Sequence, residues 1–539
     1  MKDISSTGSF VDFTLENFIY VDKTEYIPKL LKLKRVFISR PRRFGKSLTL
    51  DTIATLFETG VEPYFKGTWI YDKWTEPTYP VFRLSFLNLD NFSIDEFKSE
   101  LNSKITDFAN KISVKGYVEK SEPENSIEGL LERLREEKRQ IVFLIDEYDY
   151  QLTSNINNDD LYKQFQHKIK RFYANIKNKW AIKFLGITGV TRLKDVEIFS
   201  IGSDIRDITN ASAYSQMIGF TRDEIKKYYI DYLTLAASYE NNCSVDKVTD
   251  SQIESMLDMM AQNYDGYCFD EFYKKKVFST WSVNSFFQSI IENKFVDFGD
   301  YWYDNGGLPS ILVNYLKTHK LNSLDYVEKD KTITIRVNDF KNPTSLTSIN
   351  QNVLMCQTGY LTLRSPVYSK GFMTLGIPNC EVYNALLSLM ALNIFDDTKL
   401  ENVNEQILSQ SKDVGEIIEL FNTVLNTVSY DNYPISSEAV VQQLLYMYLK
   451  GICNSVSAEL HSSKGRADLV IESDNRRIVF EFKYAKNKIE AKVKLSEAIE
   501  QIKTRDYGNI VPKKAELLRI AAVFNADPKV RAFTEYHEV

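Results

Sequence analysis

Val36-Phe37-Ile38-Ser39-Arg40-Pro41-Arg42-Arg43-Phe44-Gly45-Lys46-Ser47-Leu48-Thr49-Leu50 is the stretch on which the fold turns. Its first residues are an apolar run of strand length, and its last residues open a helix. The loop between them ends in Gly45-Lys46-Ser47, the close of the G-x-x-x-x-G-K-[ST] phosphate-binding pattern. Such a loop offers backbone N–H groups and a helix N-terminus to phosphate oxygens. Lys46 would neutralise the β- and γ-phosphates of ATP, and the Ser47 hydroxyl would ligate Mg²⁺. Arg43 and Leu48 flank these groups as further nucleotide-binding candidates. Arg40 departs from the pattern by standing where the first glycine belongs, which bears on hydrolysis rate more than on binding.

Working outward, the apolar strand Ile141-Val142-Phe143-Leu144-Ile145 ends in Asp146-Glu147. Asp146 would complete the magnesium shell, and Glu147 could orient or deprotonate the attacking water. A third strand, Ile182 to Ile187, is followed by Thr188, read either as a polar γ-phosphate sensor or as a capping threonine. With Val81 to Phe86, these short apolar runs between helices predict a parallel sheet covered on both faces. This ATPase core takes 1–210, a mostly helical lid 211–330, and a mixed α/β to helical region 331–430. A C-terminal α/β domain takes 431–539.

Composition narrows the classes. The chain has 539 residues, 43% of them hydrophobic, and a net charge of −6, so any nucleic-acid surface must be local. Five cysteines without CxxC pairs argue against a disulfide framework or a zinc ribbon. No run of about 18 apolar residues suggests a membrane span. Together these predict a soluble cytoplasmic protein.

The C-terminal domain holds a second constellation. Asp468 opens the apolar strand Leu469-Val470-Ile471, Asp474-Asn475 marks a turn, and Ile478-Val479-Phe480-Glu481-Phe482-Lys483 forms the next strand. Strand alternation puts Glu481 and Lys483 on one face and Phe480 and Phe482 on the other. Asp468, Glu481 and the Phe482 carbonyl make a hard oxygen site for Mg²⁺ or Mn²⁺, with Glu459 on the preceding strand able to complete it. Lys483 would hold water or a scissile phosphate, Gln501 on the following helix could orient either, and Tyr507 could pack or stack. From Arg476 to Arg519 there are 12 Lys/Arg against 6 Asp/Glu. Lys486, Lys488, Lys492 and Lys494 suit a nucleic-acid backbone or, equally, a solvated helix face.

In order, Tyr20-Val21-Asp22-Lys23-Thr24, Ser39 to Leu48, Leu144-Ile145-Asp146-Glu147-Tyr148-Asp149, Ile187-Thr188-Gly189-Val190 and Tyr264-Asp265-Gly266-Tyr267 form a series. It continues with Gln357-Thr358-Gly359-Tyr360, Ile377-Pro378-Asn379, Gly465-Arg466-Ala467-Asp468 and Glu481-Phe482-Lys483. The series resembles AAA-ATPase-like proteins with a C-terminal PD-(D/E)XK nuclease domain. The resemblance implies a P-loop core of the STAND-like branch, a helical lid, an intermediate region and a terminal nuclease domain, with the arginine-rich loop normal to the family. The function expected is nucleotide-controlled cleavage of DNA or RNA; the alternative is a nucleotide-switched binding module that does not cut. A homo-oligomer is open, with Arg192, Arg206 or Arg222 able to reach a neighbour's nucleotide.

Overall fold

The structure, a computed structural model, describes all residues except 1, 6, 194–203, 305–309, 317–325, 327–328, 344, 369, 396–405, 429, 431–432, 452–456, 461–467, 474–475 and 506–515. The chain divides into two compact units, Met1–Leu321 with Lys329–Val382, and Asn322–Glu328 with Tyr383–Val539.

The first unit is built on five parallel strands: β1 (Arg35–Ser39), β2 (Val81–Ser85), β3 (Ile141–Asp146), β4 (Ile182–Gly189) and β5 (Arg206–Asp207). Their order in the sheet is β2-β3-β4-β1-β5. Every residue of β1 is buried, as befits a central strand with helices on both faces. Phe82, Phe108, Phe143 and Phe172 interlock strands β2 and β3 with the helices Ile94–Lys111 and Asp159–Ile176. Deleting such a ring from a packed core typically costs about 3–5 kcal/mol.

A helical region follows, comprising Arg222–Tyr228, Ile230–Glu240, Asp250–Tyr264 and Thr280–Asn293. Thr221 with Glu224 and Thr249 with Gln252 form capping boxes, which explains where the first and third of these helices start. Its core includes Tyr229, Tyr232, Met256, Tyr264, Phe286 and Phe287, and it also takes in Ile19 and Val21 from the N-terminal segment.

The rest of this unit runs helix Ser310–Leu316, β6 (Ile333–Arg336), helix Val337–Lys341, helix Gln351–Thr358, β7 (Thr362–Leu363) and β8 (Phe372–Gly376). The strands pair antiparallel in the order β6-β8-β7. That succession is the arrangement of a winged helix.

The second unit centres on a five-stranded sheet, β9 (Ser457–Leu460), β10 (Leu469–Glu472), β11 (Arg476–Ala485), β12 (Glu516–Asn525) and β13 (Ala532–Glu538), in the order β13-β12-β11-β10-β9. β11 and β12 are parallel, joined across the helix Lys488–Arg505. The sequence reading named neither β12 nor β13; in β12, Ile520 to Phe524 is a continuous apolar run without alternation, the pattern of a strand covered on both faces. No helix among the described residues is long and apolar enough to cross a membrane.

Two motifs separated by over a hundred residues meet in the first unit. The helix Asp250–Tyr264 ends at Asp265, whose carbonyl accepts Asn379 Nδ2 at 2.8 Å. Gly266 then takes φ of 96°, and a Cβ there would lie 2.2 Å from the Pro378 carbonyl oxygen. Positive φ and backbone contact together demand glycine. Gly266→Ala is expected to destabilise the protein by about 2–4 kcal/mol, read as a lower urea midpoint with unchanged slope.

Candidate functional sites

The phosphate loop leaves β1 and enters the helix Lys46–Thr59 through Gly45, whose φ is 98°. Arg43 is the other left-handed residue of the loop, with φ of 64°. The place of the missing glycine does not carry the bend. Instead, the Arg40 side chain turns into the core, donating to the carbonyls of Ser39 and Thr209 at 2.8 and 2.7 Å and lying over the Phe269 ring. The arginine thus anchors the loop's root without deforming its phosphate-facing backbone.

Lys46 is buried under the loop, its ammonium donating to the Arg40 and Pro41 carbonyls at 3.0 and 2.9 Å. Burial pulls its pKa down, against the opposing pull of Asp146, Glu147 and Asp149. Ser47 Oγ donates to Asp146 Oδ2 at 2.6 Å, and Thr188 Oγ1 donates to the other Asp146 oxygen. The ends of three elements therefore converge on one carboxylate. Hydroxyl and carboxylate oxygens alone form the cluster, a donor set that fits Mg²⁺. Glu147 adopts φ of 49°, and burial, followed by the adjacent Asp146 charge, raises its pKa.

Asp149 was quoted in the sequence but given no role. It is buried and accepts Thr191 N–H at 2.6 Å, Thr191 Oγ1 at 2.5 Å and Val190 N–H at 3.3 Å. It stitches the end of β3 to the end of β4. Gly189 is required by the same closeness, since a Cβ there would meet Tyr148 at 2.5 Å and Asp149 at 2.7 Å.

Beside the loop lies a cavity of about 530 Å³, the size of a small-ligand pocket. Its lining combines Arg43, Gly45, Lys46, Ser47, Leu48 and Glu147 with the apolar Tyr20, Val21, Ile27, Leu30, Met217 and Phe220. The sequence reading gave these apolar residues no part in a site, although Tyr20-Val21 opens a motif. Arg43 donates to the Trp302 carbonyl at 3.2 Å and lies over the ring of Trp281, which also lines the cavity. The candidate trans arginines are held within their own unit: Arg192 pairs with Asp207, and Arg222 with Glu254 and Asp258. Arg206 is exposed.

In the second unit, Leu469 stands opposite Phe480 in the ladder, and Asp468 N–H donates to the Phe480 carbonyl at 3.1 Å. Asp468 Oδ2 accepts Phe482 N–H at 2.8 Å. Glu481 is fully buried, far from a solvated strand face. Lys483 Nζ donates to Glu481 Oε1 at 2.8 Å and to the Phe482 carbonyl at 2.9 Å. The structure thus gathers Asp468, Glu481, Phe482 and Lys483, and lets Lys483 use the carbonyl that the sequence reading gave to a metal. It adds Glu438, at the head of the helix Glu438–Gly451, 3.6 Å from Lys483. Sequence offered no signal for Glu438, which precedes the motif by 43 positions across an unrelated helix.

Glu459 pairs in register with Val470, two residues along the ladder from Asp468. Gln501 lies between Ala498 and Ile502, which pack on Val470, Val479 and Ala521. The opposite face is aromatic, with Phe480 and Phe482 against Phe421 and Phe533. Lys486, Lys488 and Lys492 are exposed, while Lys494 is paired with Glu497. Gly465-Arg466-Ala467, Asp474-Asn475 and Tyr507 lie outside the described residues.

Burial, reinforced by the Glu481 charge, pushes the Asp468 carboxyl up to about 7. Burial pulls Lys483 down, but the Glu481 hydrogen bond and charge outweigh it and its pKa is raised. Two crowded carboxylates facing one lysine lack positive charge, and a divalent cation would supply it. The donor set fits Mg²⁺ or Mn²⁺.

Residues 5–199 match the model of the predicted AAA-ATPase family, and residues 436–533 that of the PD-(D/E)XK nuclease superfamily. Over 530 residues the chain is 25% identical to an uncharacterized protein in the vnfD 5' region of Azotobacter chroococcum mcd 1, covering 95% of this chain and 94% of that one. Among solved structures, the Walker-type ATPase PABY2304 of Pyrococcus abyssi is 13% identical with a TM-score of 0.35, covering 69% of this chain and 96% of that one. The Orc1 protein of Aeropyrum pernix, solved in complex with DNA, is 12% identical with a TM-score of 0.25, covering 68% and 91%.

A proton would compete with a metal ion for Asp468 below about pH 7. Mn²⁺ affinity, measured by calorimetry on the full chain, is expected to rise up to about tenfold per pH unit towards that value and level off above it. The metal-free fold has the opposite slope. Because the folded pKa exceeds the ordinary 3.8, stability falls as pH rises between those two values. Asp468→Asn should flatten both profiles.

Proposed function

We propose that this chain, which joins an AAA-ATPase-like domain to a PD-(D/E)XK nuclease superfamily domain, binds ATP with Mg²⁺ and cuts nucleic-acid phosphodiester bonds under nucleotide control. The observation that carries the reading is a repeated chemistry: each unit sets a lysine, buried at Lys46 and half-buried at Lys483, beside carboxylates carried by its sheet. In the first site, Lys46 would exchange its two loop carbonyls for phosphate oxygens. Ser47 and Asp146 would hold the cation, with Thr188 fixing the carboxylate. Glu147, its pKa raised, would orient the water or take its proton.

In the second site, Asp468 and Glu481 would hold the ion, whose role when bound is to acidify a water and shield the phosphate. Lys483 would steady the scissile phosphate or the water, and Gln501 would orient it. Glu459 and the Phe482 carbonyl remain proposed ligands. The division at 1–210, 211–330, 331–430 and 431–539, the cytoplasmic location, the basic patch as nucleic-acid contact and a homo-oligomer belong to the same proposal.

A second reading is a nucleotide-switched module that holds nucleic acid without cutting. It is favoured by Lys483 Nζ, which already bridges Glu481 and the Phe482 carbonyl.

Lys46→Ala is expected to weaken ATP binding tenfold or more, measured by calorimetry with Mg²⁺, and to lower the melting temperature by several degrees, because two buried carbonyls lose their donor. Glu481→Ala/Lys483→Ala should lower cleavage of labelled DNA or RNA in Mn²⁺ at least a hundredfold. Equal cleavage by this variant and the wild type would falsify the assigned site. Cleavage indifferent to ATP would remove only the control.

A further inference from the structure

The winged-helix arrangement turns its usual reading element inward. In helix-turn-helix proteins the second helix of the pair lies in the major groove. Here that helix, Gln351–Thr358, buries Val353, Leu354, Met355 and Thr358. Gln357 Oε1 accepts Arg192 N–H at 3.3 Å, and a Cβ on Gly359 would stand 2.9 Å from Pro41 of the phosphate loop. This helix is committed to the ATPase core.

The neighbouring hairpin faces outward. Phe272, Tyr368 and Phe372 are 56%, 63% and 64% exposed. Backbone bonds hold their segments side by side: Val367 N–H donates to the Glu271 carbonyl at 2.8 Å, Phe372 stands opposite Arg336 in the β6–β8 ladder, and Val337 N–H donates to the Gly371 carbonyl at 3.0 Å. The buried Asp270 carboxylate accepts the N–H groups of Phe272 and Lys274, both at 3.0 Å, and so shapes the loop that presents them. Across 270–276, 330–341 and 364–372 there are eight Lys/Arg against four Asp/Glu, one of the acids being the buried Asp270. That is a local positive surplus in a chain of net charge −6.

Exposed rings interleaved with cations are the platform that single strands use. Bases stack on the rings whatever their identity, and the cations track the phosphates. A protein partner would favour a surface poorer in lysine. We propose that this face binds single-stranded nucleic acid, with bases stacked on Phe272, Tyr368 and Phe372 and the backbone along Lys274, Lys276 and Arg336. The proposal goes beyond the cleavage reading and holds whether or not the carboxylate site cuts.

The test uses the full chain in EDTA and fluorescence anisotropy with labelled oligothymidylate, oligouridylate and a duplex of about 20 nucleotides. Phe272→Ala/Tyr368→Ala/Phe372→Ala is expected to raise Kd fivefold or more for at least one of the two single strands, with the duplex affected less. Lys274→Ala/Lys276→Ala/Arg336→Ala should reduce the slope of log affinity against log salt by about 2, the share of three phosphate contacts. Melting curves check folding, and a single Tyr368→Ala with a twofold threshold replaces the triple variant if that one melts early. A smaller effect on both single strands overturns the proposal. So does complete loss of binding in Lys486→Ala/Lys488→Ala/Lys492→Ala alongside an unaffected aromatic variant. The cleavage comparison of Glu481→Ala/Lys483→Ala reads the other site separately, so the two failures are distinguishable.

Discussion

A buried cation must find oxygens, and the arrangement around the phosphate loop follows from where the Lys46 ammonium finds them. It sits on the carbonyls of Arg40 and Pro41, which pins the loop's first half to the helix that ends it. An unpaired ammonium in that place would cost several kcal/mol. The carboxylates at the end of β3 face the same problem with the opposite sign. Asp146 resolves it with two hydroxyls, Ser47 and Thr188, and Asp149 with the Thr191 and Val190 backbone. The result is a polar cluster connected in advance of any ligand, which lowers the reorganisation that phosphate and cation would require.

The second unit applies the same rule within a tighter space. Glu481 has no access to solvent, so its charge is balanced by Lys483, while Asp468 relieves the crowding by holding its proton towards neutrality. Phe480 and Phe482 fill the other side of the same strand. Period-two alternation therefore separates an aromatic core from an ionisable pocket without any loop being involved.

That separation was legible in the sequence because two residues per repeat is a local property. The phosphate loop was legible for a similar reason, since strand, loop and helix follow one another directly. What stayed hidden was long-range. Glu438 reaches Lys483 from a helix whose own pattern advertises only an amphipathic face. The apolar lining of the cavity beside the phosphate loop comes from Tyr20 to Leu30 and from Met217 to Phe220, brought together only by the tertiary fold. Arg40 looked like a defect in the loop and is instead a root in the core, a distinction that requires knowing which way a side chain turns. β12 was hidden because a strand buried on both faces lacks alternation.

The N-terminal segment carries a consequence for biosynthesis. Ile19 and Val21 leave the ribosome more than 200 residues before the other buried members of their cluster, which run from Ile225 to Ile290. At ordinary elongation rates of about 5–20 residues per second, the segment waits ten seconds or more for its place. The cavity beside the phosphate loop therefore cannot be finished until the helices that complete this cluster have been translated.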